Sequence, residues 1–449
     1  MFGRLLPKSL FAGSETFFDT SKACFRRFQN ASFGFKQLES HFFTWPIFMN
    51  EKGFNEHSKR ILFGEQPAGL YIHIPFCLKK CPYCDFYSIT DASFHPAFLN
   101  ALSTEMRLNR GVDLVFDTLY IGGGTPSVFN EKSIDRIVET ARRSFKILPG
   151  AEITLEVNPG TVTLEKLKGY RRAGVNRINI GVQSFNSVNL RFLGRIHSGR
   201  DADLAVKWAQ SAGYKNIGLD LICGIPDQTT ASWLRDLQAA VELGPQHLSC
   251  YILSFESGTP MDRDRRKECF KPLSEGRVCD LFETTVKSLS DHGYVQYEIS
   301  NFARENIGGS GLKNAGENRS RHNTKYWTFT SYLGLGPSAH SFIEPERFWN
   351  HADVGKYMQD LARGKLPQAE KESLSLDQLM TEAVYLGLRQ TRGIFFDAFD
   401  EKFGVSFRGM FGEIMAGLEE KGLMECSQGR CALTSKGMLV LDSIAVLFI

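Results

Sequence analysis

The 449-residue chain has no unbroken run of about eighteen apolar residues, so no segment of it reads as a membrane span. It has little net charge. Its 53 Lys and Arg stand against 50 Asp and Glu, a formal +3, and no general nucleic-acid field is implied. The ten cysteines lack paired spacing, which fits a reducing compartment better than a disulfide framework. A secretory signal is missing as well: no apolar h-region follows the basic start, and Phe17–Phe18 are bracketed by Glu15 and Asp19. What remains is long enough for a large barrel plus a smaller unit.

Residues 1–66 differ from the rest, being Phe-rich with scattered basic residues and no clean helical or strand period. Arg4, Lys8, Lys22, Arg26 and Arg27 suit a transit peptide, although such peptides avoid acids and this one contains some. The competing expectation, which we favour, is a working start at Met49, with the upstream residues a dispensable leader or a gene-model artefact.

From about residue 67, short β-branched or aromatic runs alternate with amphipathic stretches, the pattern of βα units and a parallel sheet. Expected strands are Leu70–Ile74, Thr118–Gly122, Glu152–Val157, Arg177–Val182, Ile217–Cys223 and His247–Leu253, with helices near 96–110, 131–146, 162–173, 200–213 and 231–243. This is an α/β fold, a partial (β/α)₆ TIM-like barrel, whose chemistry belongs at the C-terminal ends of the strands. After residue 255 the rhythm fades. Residues 303–320 read as a Gly- and Asn-rich loop. A helix returns near 372–390, with Met380, Ala383, Val384, Gly387 and Leu388 on one face. The tail predicts a helix from 405, a hairpin over Gly422–Thr434 turning at Gly429, and a helix from Ser435. That outline is a smaller α+β C-terminal domain with winged-helix character. The expected divisions are 1–66, 67–302, 303–371 and 372–449.

Cys77, Cys81 and Cys84 form a C-x₃-C-x₂-C triplet just past the first strand. Soft thiolates this close favour iron–sulfur or zinc. A structural zinc site wants four closed ligands, and no second C-x₂-C or H-x₃-H follows at finger spacing. A [4Fe–4S] cluster held by three cysteines leaves one iron open to a substrate or cofactor. The run YIGGGTPS (120–127) ends the second strand and bares the backbone to a ligand. Glu156, in LEVNPG, ends the third, where a carboxylate could hold an ammonium group or simply stand exposed.

These three motifs together resemble the radical S-adenosylmethionine (SAM) superfamily, and within it the branch containing the oxygen-independent coproporphyrinogen III dehydrogenase and the haem chaperone HemW. The resemblance runs from about residue 69 to the C-terminus. It implies that the cysteines hold the cluster, that the amine and carboxylate of SAM chelate the unique iron, and that an electron can cleave SAM to methionine and a 5′-deoxyadenosyl radical. It further implies SAM contacts at Tyr71, Gly124, Thr125, Glu156, Gln183, Arg195 and Asp220, with Phe86 near the adenine. Arg195 also reads as a solvated helix-end charge, and Asp220 as a strand-end acid or N-cap.

Departures from the dehydrogenase pattern point to the chaperone side. The dehydrogenase carries a fourth cysteine two residues after the third; here that place holds Phe86. The runs GYVQYEISNFA (293–303), SRHNTKYW (320–327) and YLGLGPSAHS (332–341) resemble the chaperone. There the H-N-x-x-Y-W run is implicated in haem binding, so His322 could present an imidazole to iron beside Tyr326 and Trp327. Alternatively it is a loop histidine hydrogen-bonded to backbone, with the two aromatics in the core. His340 is a second candidate, in a Gly-rich turn that suits a structural role.

The expected function is therefore a haem chaperone delivering haem to acceptors such as respiratory-chain apoproteins, with no nucleic-acid partner. The alternatives are a radical SAM enzyme of porphyrin biosynthesis and a metal-stabilised binding module. The expected location is the cytoplasm, or an organelle if residues 1–48 are a transit peptide, with room for transient membrane association.

Overall fold

The computed structural model describes residues 66–305 and 318–449. The leader and start-site expectations for the N-terminal residues, and positions 306–317 of the expected 303–320 loop, lie outside them. Two compact units are present among the described residues, Pro67–Leu386 and Gly387–Ile449.

The first unit is built on one sheet. Its parallel strands are β1 (Ala68–Ile74), β2 (Val115–Gly123), β3 (Lys146–Val157), β4 (Arg177–Gln183), β5 (Ile217–Cys223) and β6 (His247–Ile252), paired in that order. Each was legible as an apolar run because parallel strands are covered on both faces; β1, AGLYIHI, is buried at six of its seven positions. Helices His95–Leu108, Glu131–Ser144, Leu164–Arg172, Gly199–Ser211 and Thr230–Glu242 return the chain between strands. Their starts follow capping chemistry. Asn130 accepts from Ser133 N–H, and Ser198 and Asp201 form a reciprocal capping box.

The sheet continues past both edges of the parallel set, which the fading rhythm after residue 255 did not reveal. Beyond β6 the chain adds β7 (Tyr294–Gln296) and β8 (Asn301–Arg304): β8 pairs antiparallel with β6, and β7 lies outermost, antiparallel to β8. β9 (Tyr332–Leu335) joins β1 in parallel, followed by β10 (His340–Ile343), β11 (Glu346–Asn350) and β12 (Gln368–Ser373). The result is an open twelve-stranded sheet rather than a closed barrel. The edge strand β12 has the sequence QAEKES, charged enough to discourage further pairing. It occupies part of the segment expected to be helical near 372–390, and the helix itself spans Leu376–Leu388. Its buried positions include Val384 and Leu388, as the pattern implied, and also Leu379 and Glu382; Glu382 is held by Arg347.

The second unit has the helix, hairpin and following helix expected of the tail (the last over Ser435–Met438), with one more helix in front of them. Helices Phe396–Phe403 and Phe407–Glu420 precede a hairpin of β14 (Met424–Cys426) and β15 (Arg430–Leu433), and β13 (Ile394–Phe395) pairs with β15 as a third strand. Phe396, Phe399, Phe403, Phe407, Phe411 and Phe448 form one contiguous set of aromatic contacts in its core.

Candidate functional site

The cysteine loop leaves the end of β1 and is closed at its base. Cys77 N–H donates to Ile89 O (2.9 Å) and Ile89 N–H to Pro75 O (2.7 Å). The turn at the adjoining C-terminal end of β2 braces it: Gly124 N–H donates to Ile74 O (2.8 Å) and Thr125 N–H to Phe76 O (2.7 Å). Two side chains donate to the sulfurs, Thr125 Oγ1 to Cys77 Sγ and Arg195 Nη1 to Cys81 Sγ, both at 3.4 Å. Burial pushes the Cys84 thiol up to about 11, and Cys81 and Cys77 add to the effect. Such a thiol becomes a thiolate only beside a cation. Among the described residues, no three His, Cys, Asp or Glu side chains are grouped to hold one metal ion. A cubane instead takes each sulfur on a different iron, and three partly exposed thiols with two donors aimed at them suit such a group.

Beside this loop lies a pocket lined by Tyr71, Phe86, Tyr120, Gly123, Glu156, His322, Asn323 and Tyr326. The two-residue period of strands puts Tyr71, Tyr120 and Glu156 on one sheet face. Tyr120 O–H donates to Glu156 Oε1 (2.6 Å) and Gly123 N–H to Oε2 (3.1 Å). Burial raises the Glu156 carboxyl to about 7; the Tyr120 bond pulls it down and Asp220 pushes it up. Gly122 and Gly123 carry no side chain for a packing reason. A Cβ on Gly122 would lie 2.9 Å from Glu156 Cδ, and one on Gly123 2.6 Å from the His73 ring.

The expected SAM residues thus divide. Tyr71, Phe86 and Glu156 line the pocket. Gly124 and Thr125 support the cysteine loop instead, and Gly123 takes the lining place. Arg195 bridges strand and loop, donating also to Gly181 O (2.8 Å). Gln183 sits at the end of β4 with φ 67°, a left-handed conformation that a non-glycine residue adopts only under local constraint. Asp220 accepts from Asn179 Nδ2 (2.6 Å) through Oδ2, while its Oδ1 is shielded without a hydrogen-bond partner. Asn323 Oδ1 and Arg195 Nε are likewise unpartnered. Of these three only Asn323 lines the pocket, where its unpartnered acceptor and the Glu156 carboxylate suit a polar ligand with an amine or hydroxyls. Tyr120, Gly123 and Asn323 were not singled out in the sequence, whereas Tyr326 was expected beside haem or in the core; for Tyr120 the signal was its place in strand register opposite Tyr71.

His322 lies in the helix Arg321–Trp327 rather than in a loop. It is 1% exposed, and its ring nitrogens meet side chains, not backbone: Nδ1 is 2.8 Å from Thr118 Oγ1 and Nε2 2.9 Å from Tyr326 Oη. Burial lowers its pKa to about 3, so it is a neutral imidazole. Tyr326 and Trp327 are each 4% exposed, in the core. His340 stacks on Trp349 across the β10–β11 pair, ring centroids 5.4 Å apart.

Comparison with known proteins fits this arrangement. Residues 71–240 match the radical SAM superfamily and residues 374–440 the HemN C-terminal domain. The chain is 33% identical to the heme chaperone HemW of Bacillus subtilis over 375 residues, covering 82% of this chain and 96% of that protein. It is 33% identical to HemW of Haemophilus influenzae over 395 residues, covering 85% and 98%. The solved structure of coproporphyrinogen III oxidase (HemN) from Escherichia coli, a radical SAM enzyme, superposes with a TM-score of 0.72 at 26% identity, over 88% of this chain and 93% of that one. With two relatives matched over nearly their whole length, and both the cysteine-loop core and the C-terminal unit accounted for, this chain belongs to the HemW family of radical SAM proteins.

Proposed function

We propose that this protein is a haem chaperone that binds haem and passes it to acceptor haemoproteins, respiratory-chain components among them. Cys77, Cys81 and Cys84 hold a [4Fe–4S] cluster, and SAM occupies the pocket around Glu156. The observation that carries the reading is Phe86. It lines the pocket at the position where the coproporphyrinogen dehydrogenase has its further cysteine, in a chain related to HemW along its length. When bound, the cluster offers one open iron and a single electron. The chain's own part is to orient and enclose: the Glu156 carboxylate faces the ligand's amine end, Tyr120 O–H and Gly123 N–H hold Glu156 still, and Phe86 covers the adenine. On this reading residues 67–302 form the radical SAM core, 303–371 a connecting region and 372–449 the C-terminal domain. Among the described residues no helix is long and apolar enough to cross a membrane. We place the protein in the cytoplasm, with any membrane contact transient.

As an iron ligand, His322 would have to leave Thr118 and Tyr326; His340 is the other candidate. The likeness to HemN supports a second reading, a radical SAM oxidoreductase acting on a porphyrinogen. Anaerobic reconstitution separates the two. The chaperone should take up about four irons per chain by cluster stoichiometry, bind haem with a Soret band, and leave coproporphyrinogen III unchanged. Cys81→Ser should lose most of the iron while haem binding persists. Conversion of coproporphyrinogen III to protoporphyrinogen IX by the purified protein would overturn the assignment, as would stoichiometric zinc in place of iron.

A further inference from the structure

The H-N-x-x-Y-W run forms the floor of the pocket. Glu152 anchors its helix by accepting from the amides of Arg321 (3.2 Å) and His322 (3.1 Å), and Asp117 pairs with both Arg321 (2.9 Å) and Lys325 (2.6 Å). Gly69 leaves the room: a Cβ there would lie 3.0 Å from His322 Cε1. The imidazole, clamped between Thr118 and Tyr326, stacks under Tyr120 with centroids 5.1 Å apart and planes 26° apart. Tyr71 lies 6.4 Å away in a similar orientation. Tyr120 in turn donates to Glu156. In either tautomer one ring nitrogen donates and the other accepts, so both serve the clamp.

We infer that His322 is a positioning residue of the cofactor pocket: clamped by Thr118 and Tyr326, it fixes the ring of Tyr120 and so aims the Glu156 carboxylate at the ligand. This rests on the pocket being the SAM site proposed above. A side chain of this kind acts through two others and touches no reacting atom. Its removal frees Tyr120 to turn, and Glu156 loses its best donor. The titratable groups facing Glu156 are Tyr71 from β1, Tyr120 from β2, Asp220 from β5 and Tyr326 from the helix. Of these four only Tyr120 donates a side-chain hydrogen bond to it. Disturbing that bond should therefore make Glu156 harder to ionise.

The test is SAM titration of the anaerobically reconstituted full chain, followed through the electron paramagnetic resonance signal of the reduced cluster and repeated across pH. His322→Ala should keep its iron and weaken SAM binding about ten-fold, the scale set by losing one good hydrogen bond. The midpoint of its pH dependence should move upward. Tyr326→Phe, which removes one arm of the clamp and little volume, should shift both readouts the same way by less, and guards against a His322→Ala chain that fails to fold. Wild-type SAM affinity and pH profile in both variants would overturn the positioning role while leaving the SAM site itself intact. A wild-type protein with a full cluster and no SAM binding would remove the pocket assignment as well. Loss of haem binding with SAM binding unchanged would make His322 an iron ligand instead.

Discussion

At the scale of single residues, Glu156 shows how environment sets chemistry. Burial raises the carboxyl to about 7, whereas Tyr120 O–H and Gly123 N–H favour its ionised form. Below that pH the group is protonated and meets an amine poorly; above it the carboxylate is present. SAM affinity should therefore rise as pH increases through about 7, and equilibrium binding at fixed ionic strength would detect it. Glu156→Gln should flatten that dependence. Glu156→Ala removes a charge-assisted contact of about 1.5–3 kcal/mol and should weaken SAM binding roughly ten- to a hundred-fold. An unchanged affinity would mean the cofactor lies elsewhere.

At the scale of elements, the decisive unit is the pair of strand ends that carry the cysteine loop. β1 and β2 are in register from Gly69–Thr118 to Ile74–Gly123, and the glycine turn then folds back under the loop. Gly124 is confined there: an added Cβ would sit 2.7 Å from Phe76 O and 2.9 Å from Ile74 O, both backbone atoms that cannot swing aside. Gly124→Ala should therefore loosen the base of the loop, and reconstituted protein should hold measurably less iron per chain than wild type. By contrast, Gly111→Ala, where a Cβ meets nothing within 4 Å, should keep its full complement. Equal iron in both variants would show that the loop does not depend on this support.

At the scale of the whole molecule, Glu105 ties distant parts of the first unit together. It is 1% exposed and accepts from Gly336 N–H (2.8 Å), Asn350 Nδ2 (2.5 Å) and Tyr357 O–H (2.6 Å). One carboxylate thus joins the helix His95–Leu108 to the β9–β10 turn, the end of β11 and the helix Val354–Ala362. Burial raises it from 4.5 to about 7, against the pull of the three donors. The folded state then holds a proton that the unfolded chain releases near 4.5. The stability this group contributes is present at low pH and lost as pH rises through about 7. Melting temperature should fall across that window in wild type and fall less in Glu105→Gln. Glu105→Ala leaves three buried donors without an acceptor and should cost on the order of 3 kcal/mol, read as a lower denaturant midpoint. Parallel pH profiles in wild type and Glu105→Gln would remove Glu105 as the source.

The sequence by itself determined the six βα units, the cysteine triplet at the end of β1, and the tail's helices and hairpin. These rest on local signals: runs covered on both faces, capping residues, and thiols only a few positions apart. Tyr71 and Phe86 were named only through the family resemblance, Glu156 also from its place at a strand end, and the structure brings the three together in one pocket. Only the tertiary structure decided that Gly123 rather than Gly124 lines the pocket, that Tyr120 holds Glu156, and that β7–β12 widen the sheet at both edges. It also put His322 inside the protein. Tyr120 and Glu156 are 36 positions apart, and Thr118 and His322 are 204 apart. A motif of the HNTKYW kind has the same letters whether its imidazole faces a ligand or a hydroxyl. What chooses between them is the space over Gly69 and the two hydroxyls waiting there, and no local periodicity encodes an empty place on a strand far away in the chain.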